Sequence, residues 1–402
     1  AIREEIVIGP EIFIGSEGNL LDPKPEVARQ IKLASPFLDN DELAKLRHIN
    51  LPGYSATTLP LLYPVGYGGQ GLQKAMKDLC EQADKAVERG ATILILSDRG
   101  VNSMMAPVPA LLAVSGLHHH LIRNGTRTRL SLVLESGEPR EIHHFAMLLG
   151  YGVSAINPYL VFEVIDDMIK TGRLPDLDHY KAVKNFKKAV TKGVIKVMSK
   201  MGISTVQSYQ GAQIFEAIGL AEDFVEAWFT GTPTRVGGVD MEDITRDVEI
   251  RHAQSMEKQS VEYATLPTGG DWHWRKDGEY HLYNPESIHL LQVSCRNGDY
   301  DGFKAYERLI DDQEKRQCTL RGLMRFKKQE SVPLDEVEPV ESIVKRFKTG
   351  AMSFGSISQE AHEALAIAMN RLGGKSNTGE GGENPERFTP GENGESRNSA
   401  IK

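Results

Sequence analysis

The residues best placed to do chemistry lie near the C-terminal end of the chain. Met352-Ser-Phe-Gly-Ser-Ile-Ser-Gln-Glu-Ala-His362 joins a tight glycine turn to a serine-capped helix opening, with Ser358 or Ser356 near Glu360. Backbone amides at such a junction face a polar ligand, although spacing alone favours an ordinary strand-to-helix loop. A glycine-rich run follows, Gly373-Gly-Lys-Ser-Asn-Thr-Gly-Glu-Gly-Gly-Glu383. It lacks the phosphate-loop spacing, because no glycine stands five residues before Gly374, and nucleoside triphosphate hydrolysis is not supported. Dense glycine with Asn377, Glu380 and Glu383 instead suits a loop that closes over an aromatic or dicarboxylic ligand through backbone contacts. Two weaker clusters, Tyr67-Gly-Gly-Gln-Gly71 and Gly15-Ser-Glu-Gly-Asn19, read first as connectors; the former could cradle an anion at a helix N-terminus.

Other reactive residue types are poorly arranged. His118, His119 and His120 are consecutive, so a helix turns their rings about 100° apart and no single ion can gather them. His143 and His144 share that limit. Cys80 falls within an amphipathic helix and reads as core. The three cysteines, Cys80, Cys295 and Cys318, show no C-x-x-C pairing and point to a reducing compartment. We therefore expect no metal ligand in this chain.

Positioning elements are read from hydrophobic pattern. Thr92-Ile-Leu-Ile-Leu and Arg129-Leu-Ser-Leu-Val-Leu are continuous apolar runs, expected as parallel strands buried on both faces, adjacent or nearly so. Val153–Tyr159 is a third such run and Ile203–Tyr209 a further β-rich one. Helices are expected at 72–88, 107–123, up to Leu149, 160–170, 180–200, 213–218, 241–258, 289–312 and 358–372. Strand, polar loop and helix in repetition mean an α/β fold with a parallel sheet or barrel. Ligands of such folds sit at the carboxyl ends of strands, which marks Ser97-Asp98, Glu135-Ser136, Asn157 and Gln207-Ser208. Residues 233–268 read as polar and irregular, with a boundary at Pro267-Thr-Gly-Gly-Asp and a connector at 331–341.

The 402 residues are enough for two or three domains, and 40% hydrophobic with 25% charged residues is a folding composition. A net charge of −8 argues against broad nucleic-acid or anionic-membrane binding, and no apolar run reaches a membrane span. The first residues lack a basic n-region, and both ends read as cuts inside a longer polypeptide.

Gly350-Ala-Met-Ser-Phe-Gly-Ser-Ile-Ser, followed by Ala368-Met-Asn-Arg-Leu-Gly-Gly-Lys-Ser-Asn-Thr-Gly-Glu-Gly-Gly-Glu, resembles the opening of the FMN-binding domain of glutamate synthases. Upstream, Ile14-Gly-Ser-Glu-Gly-Asn, Ile93-Leu-Ile-Leu-Ser-Asp-Arg, Ala113-Val-Ser-Gly-Leu-His-His-His, Glu135-Ser-Gly-Glu-Pro-Arg-Glu-Ile-His-His-Phe, Ala155-Ile-Asn-Pro-Tyr-Leu and Ser204-Thr-Val-Gln-Ser-Tyr-Gln-Gly-Ala-Gln resemble that family's central domain. The resemblance runs in order over essentially the whole chain.

It implies a central domain at 1–265, a connector and helical lead-in at 266–340, and the first part of an FMN-binding (β/α)8 barrel at 341–402, interrupted after its second unit. The implied reaction is reductive: ammonia released from glutamine by an amidotransferase domain adds to 2-oxoglutarate, and FMN carries hydride to make L-glutamate. Electrons would come from ferredoxin or an NADPH-oxidising small subunit, in the bacterial cytoplasm or the plastid stroma. The iron–sulfur cluster of the parent enzyme would take its ligands outside this chain. Met352, Ser353, Gly355 and Asn377 are the implied flavin contacts. Glu380, Glu383 and Lys402 are implied at the substrate, a lysine being needed to offset carboxylate repulsion, with Lys375 as the other choice. The alternative is a catalytically inert fragment that serves as a structural and ammonia-channel module.

Overall fold

A computed structural model describes residues 4–19, 21–256, 269–312 and 318–402. The chain divides into two compact units, Ala1–Ala264 and Thr265–Lys402.

The first unit is built on a four-stranded parallel sheet in chain order: β1 (Ala56–Pro60), β2 (Ile93–Ser97), β3 (Ser131–Glu135) and β4 (Ala155–Asn157). Ile93 pairs with Ser131 and Leu96 with Leu134, so the two apolar runs read from sequence are adjacent parallel neighbours. Every residue of β2 and β3 is buried, because alternate side chains enter two different cores. Leu94, Leu96, Leu132 and Leu134 join the larger core, with Leu72, Met76, Leu117 and Phe145. Ile93, Ile95 and Val133 face the smaller one, closed by Ile14, Leu38 and the apolar stripe of α1 (Asn40–Arg47). Each such side chain contributes about 1.5–3 kcal/mol on burial, which outweighs any local preference of these short runs.

The connecting helices are α2 (Gly68–Glu88), α3 (Ala110–Arg123), α4 (Ile142–Gly150), α5 (Tyr159–Lys170) and α6 (His179–Met201). Asn124 closes α3, and Gly202 in the left-handed region (φ 73°) closes α6. Two expectations fail beyond α6. The β-rich run 203–209 forms a short helix, Val206–Tyr209, because the Thr205 hydroxyl accepts a hydrogen bond from the Ser208 amide and caps it. The helix expected at 213–218 is absent; Ala217–Leu220 is a strand, β5, pairing in parallel with β6 (Thr234–Val239) inside the segment read as irregular. Helix α7 (Met241–Met256) follows, and the 241–258 expectation runs past it out of the described residues. The boundary at Pro267 begins outside the described residues as well.

In the second unit the stretch expected as one helix is two, α8 (Pro285–Asn297) and α9 (Tyr300–Asp311), broken at Gly298, whose φ of 65° ends a helix. The connector carries a 3₁₀ turn at Leu334–Glu336 and a short helix at Val340–Val344. Helix α10 (Gln359–Leu372) starts where Ser358 accepts from the Ala361 amide and stops at Gly373. On either side of it, Lys348 bridges Lys375 in parallel, and Asn377 bridges Ile401 in parallel. Three extended segments thus lie side by side with α10 as the first crossover, the grammar of an opening β/α barrel, and the third segment goes one further than expected.

Candidate functional site

At the end of the first extended segment of the second unit, Ser356 folds back so that its amide donates to the Ser353 carbonyl at 2.9 Å. The glycine-rich loop lies flat against this turn. A Cβ on Gly381 would stand 3.1 Å from the Ser353 Cβ and 3.2 Å from the Phe354 nitrogen, and Gly379 has φ +63°. Gly379 is in a conformation that favours glycine, and a side chain at Gly381 would crowd the turn. Asn377 sets the loop: its amide donates to the Thr349 hydroxyl at 3.1 Å, and its side-chain oxygen accepts from the Gly379 amide at 2.9 Å. Nothing lies within 4 Å of where a Gly355 Cβ would be, so backbone there is open to a ligand.

Beneath the loop sits a buried ionic network. The Glu383 side chain is 1% exposed and accepts from the Ser399 amide at 3.0 Å. It pairs with Arg387, also 1% exposed, at 3.3 Å, and with Lys402. Arg387 in turn donates to the Arg397 carbonyl at 2.9 Å and to His362 Nδ1 at 2.6 Å. Burial first, and then the Arg387 guanidinium, push His362 below its ordinary pKa, while its contact with the Met352 backbone pulls the other way. A neutral His362 is the form that can accept from arginine.

The structure therefore brings Met352, Ser353, Asn377, Glu383 and Lys402 into one neighbourhood, with Gly355 and Glu380 exposed at its surface. Lys375, the other lysine considered, is exposed on the second extended segment. Arg387 and His362 were not found from sequence. Their partners stand up to 25 residues away and carry no spacing signature, the one local hint being Glu383 four residues before Arg387. Small residues, an open backbone edge and a glycine loop pressed on a strand end fit a flat, polar-edged ring such as a flavin.

In the first unit, three of the four expected strand ends do converge; their carboxylates are taken up by neighbouring groups, while the buried Asn157 side-chain oxygen has no hydrogen-bond partner. Glu135, buried, accepts from Ser97 Oγ at 2.5 Å, from Arg47 at 2.5 Å and from Arg99 at 2.9 Å. Arg99 lies 3.9 Å above the Tyr159 ring. Asp98 accepts from Ser136 Oγ at 2.6 Å and from the Gly137 amide at 3.0 Å; burial raises its carboxyl above the usual range. Asn157 donates to the Leu38 carbonyl. Gln207 and Ser208 stand apart, on the short helix, with Gln207 bonded to Glu17.

The three histidines part company as helical geometry requires. His118 Nδ1 accepts from Arg127 Nε at 3.0 Å, His120 meets Asp84 at 2.8 Å, and His119 packs edge-on to His118. Cys80 is core, its thiol pushed up to about 11 by burial. The anion cradle at the start of α2 is filled from within: Glu242 accepts from the Gly69 amide at 2.6 Å and Glu249 from the Gly66 amide at 3.0 Å. Among the described residues no helix is long and apolar enough to cross a membrane.

Residues 1–221 match the family model described as the glutamate synthase central domain. The chain belongs to the glutamate synthase family. Residues 281–402 match a second model, the conserved region in glutamate synthase. The glutamate synthase [NADPH] large chain of Bacillus subtilis is 50% identical across 100% of this chain and 26% of its own length. The glutamate synthase [NADH] of Schizosaccharomyces pombe is 42% identical over 100% of this chain and 19% of its own. The chloroplastic ferredoxin-dependent glutamate synthase of Spinacia oleracea is 41% identical over 97% and 24%. The chain thus spans about a quarter or less of the length of these glutamate synthases.

Proposed function

We propose that this chain is part of an enzyme that makes L-glutamate by reductive transfer of glutamine-derived ammonia to 2-oxoglutarate. The observation that carries this reading is the match, over the whole chain, to proteins named glutamate synthase. Domains are assigned as read from sequence: central domain to 265, connector to 340, and the start of an FMN-binding barrel to 402. Hydride transfer is the chemistry that FMN supplies when bound. Met352, Ser353 and Gly355 offer backbone to the ring, and Asn377 fixes the loop that covers it.

The two glutamates divide the work. Glu380 is exposed at the loop surface and free to orient the substrate, whereas Glu383 is committed to Arg387, Lys402 and the Ser399 amide and holds the loop in place. Lys402 offsets the charge that a dicarboxylic substrate brings. Ferredoxin or an NADPH-oxidising small subunit supplies electrons through an iron–sulfur cluster in the parent enzyme, in a bacterial cytoplasm or plastid stroma. No ligand to that cluster is assigned here.

The test uses the full-length enzyme. Glu380→Ala should cut glutamate formation from 2-oxoglutarate and ammonia by at least an order of magnitude, on the order of what lost orientation costs, while glutamine hydrolysis continues. Parental turnover with FMN fully bound in both Glu380→Ala and Glu383→Ala would overturn the site.

A further inference from the structure

We propose that the first unit carries a second small-molecule site, which takes a zwitterionic amino acid with a large apolar side chain. A cavity of about 550 Å³ opens between α7 and the loop that follows β3. It lies on the carboxyl-end side of the parallel sheet, where βα folds hold ligands, and its volume is that of small-molecule sites. None of the residues assigned above to flavin or substrate takes part in it.

The lining separates by chemistry. Pro107, Leu111, Met147, Leu148 and Val248 make an apolar floor. Arg140 and Arg251 bring two guanidinium groups, Glu138 and Asp247 two carboxylates. One oxygen of Glu138 accepts from the Ala110 amide at 2.8 Å, at the start of α3, which leaves the other for a donor. Burial, with Asp98 adding to it, raises the Glu138 carboxyl above its usual range, while the Ala110 amide, Arg251 and Arg140 act in the opposite direction. Two positive and two negative groups around one apolar floor suit a ligand that bears one charge of each sign beside an apolar body. A simple anion or cation would meet a like charge without compensation.

The walls are held before any ligand arrives. Glu242 and Glu249 tie α7 to the amides of Gly69 and Gly66, and His252 on the same helix contacts the Asn102 carbonyl at 2.8 Å. On the facing side, the His144 ring accepts from the Arg140 amide at 3.3 Å, which pins the loop to α4. A preformed pocket loses little entropy on binding.

The experiment is calorimetric titration of the 402-residue chain with L-leucine, L-methionine and L-phenylalanine, with isocaproate and leucinamide as controls that lack one charge each. Saturable binding is expected for at least one amino acid, with at least tenfold weaker binding of both controls. Arg251→Met and Arg140→Met should each weaken the amino acid at least tenfold; both arginines are exposed, so the variants should retain the parental melting temperature. Ser255→Trp, which fills the rim, should abolish binding and serves if an arginine variant does not fold. The proposal fails if none of the three amino acids binds at about 10 mM, far weaker than a functional site needs. It also fails if isocaproate binds as well as leucine, or if folded Arg251→Met or Ser255→Trp binds like the parent.

Discussion

Glu380 and Glu383 are three residues apart in one loop, yet their physical situations are opposite. Removing Glu383 leaves Arg387 buried without its counter-charge, and uncompensated buried charges typically cost about 3–5 kcal/mol. Glu383→Ala should therefore lower the denaturant midpoint of the second unit strongly, whereas Glu380→Ala, at an exposed position, should shift it by no more than about 0.5 kcal/mol. Equal effects in chemical denaturation would refute the division of roles. His118 supplies a pH-dependent counterpart in the first unit. Burial, then Arg127 and His119, lower it from 6.5 to about 3. Above pH 6.5 the folded and unfolded states carry the same proton count at this ring, so nothing is lost there. As pH falls below 6.5 the unfolded chain takes a proton that the folded one refuses until about pH 3, and stability drops by about 1.4 kcal/mol per pH unit. Denaturant melts at pH 7 and pH 5 should differ by about 2 kcal/mol more in the parent than in His118→Gln.

At the scale of elements, what could be read from sequence was what local pattern alone encodes. Ile93–Ser97 and Ser131–Glu135 were legible because strands covered on both faces must be apolar throughout. Ser358 was legible as a helix start because the requirement of a capping side chain is local. β5 and β6 were not: Thr234–Val239 is mostly exposed and holds two glycines, so its strand character arises only from pairing with Ala217–Leu220. The network of Glu383, Arg387 and His362 was hidden for the same reason, its partners being neighbours only after α10 has crossed over. Gly152 tests how tightly these elements fit. Its φ is +106°, and a Cβ there would stand 2.2 Å from His118 Nδ1, with Arg127 already bonded to that ring and to the Gly152 carbonyl. Gly152→Ala should destabilise the first unit by about 3 kcal/mol, through strained backbone and overpacking together, as read from its thermal or urea midpoint.

For the molecule as a whole, the two units differ in how much of their chain is committed to a core. The first is organised around one sheet with two cores, whereas residues 318–347 of the second expose Leu320, Phe326, Val332, Leu334, Val340 and Phe347 around brief helical turns. Among the described residues, brief trypsin treatment should therefore cut first at Lys327 and Lys328, exposed in a stretch without helix or strand, and leave a fragment containing β1 to β4 intact. First cuts within α2 would count against that ranking. The first unit also has a chemical deafness built into it. Glu242 and Glu249 are covalently tethered ligands for the amides of Gly69 and Gly66, and attachment to the same chain gives them an effective concentration of mM or more. A free phosphate would have to displace an occupant that never diffuses away. This helix start should consequently ignore phosphorylated metabolites at cellular levels, and competition, rather than the want of glycine-rich backbone, would be what keeps them out.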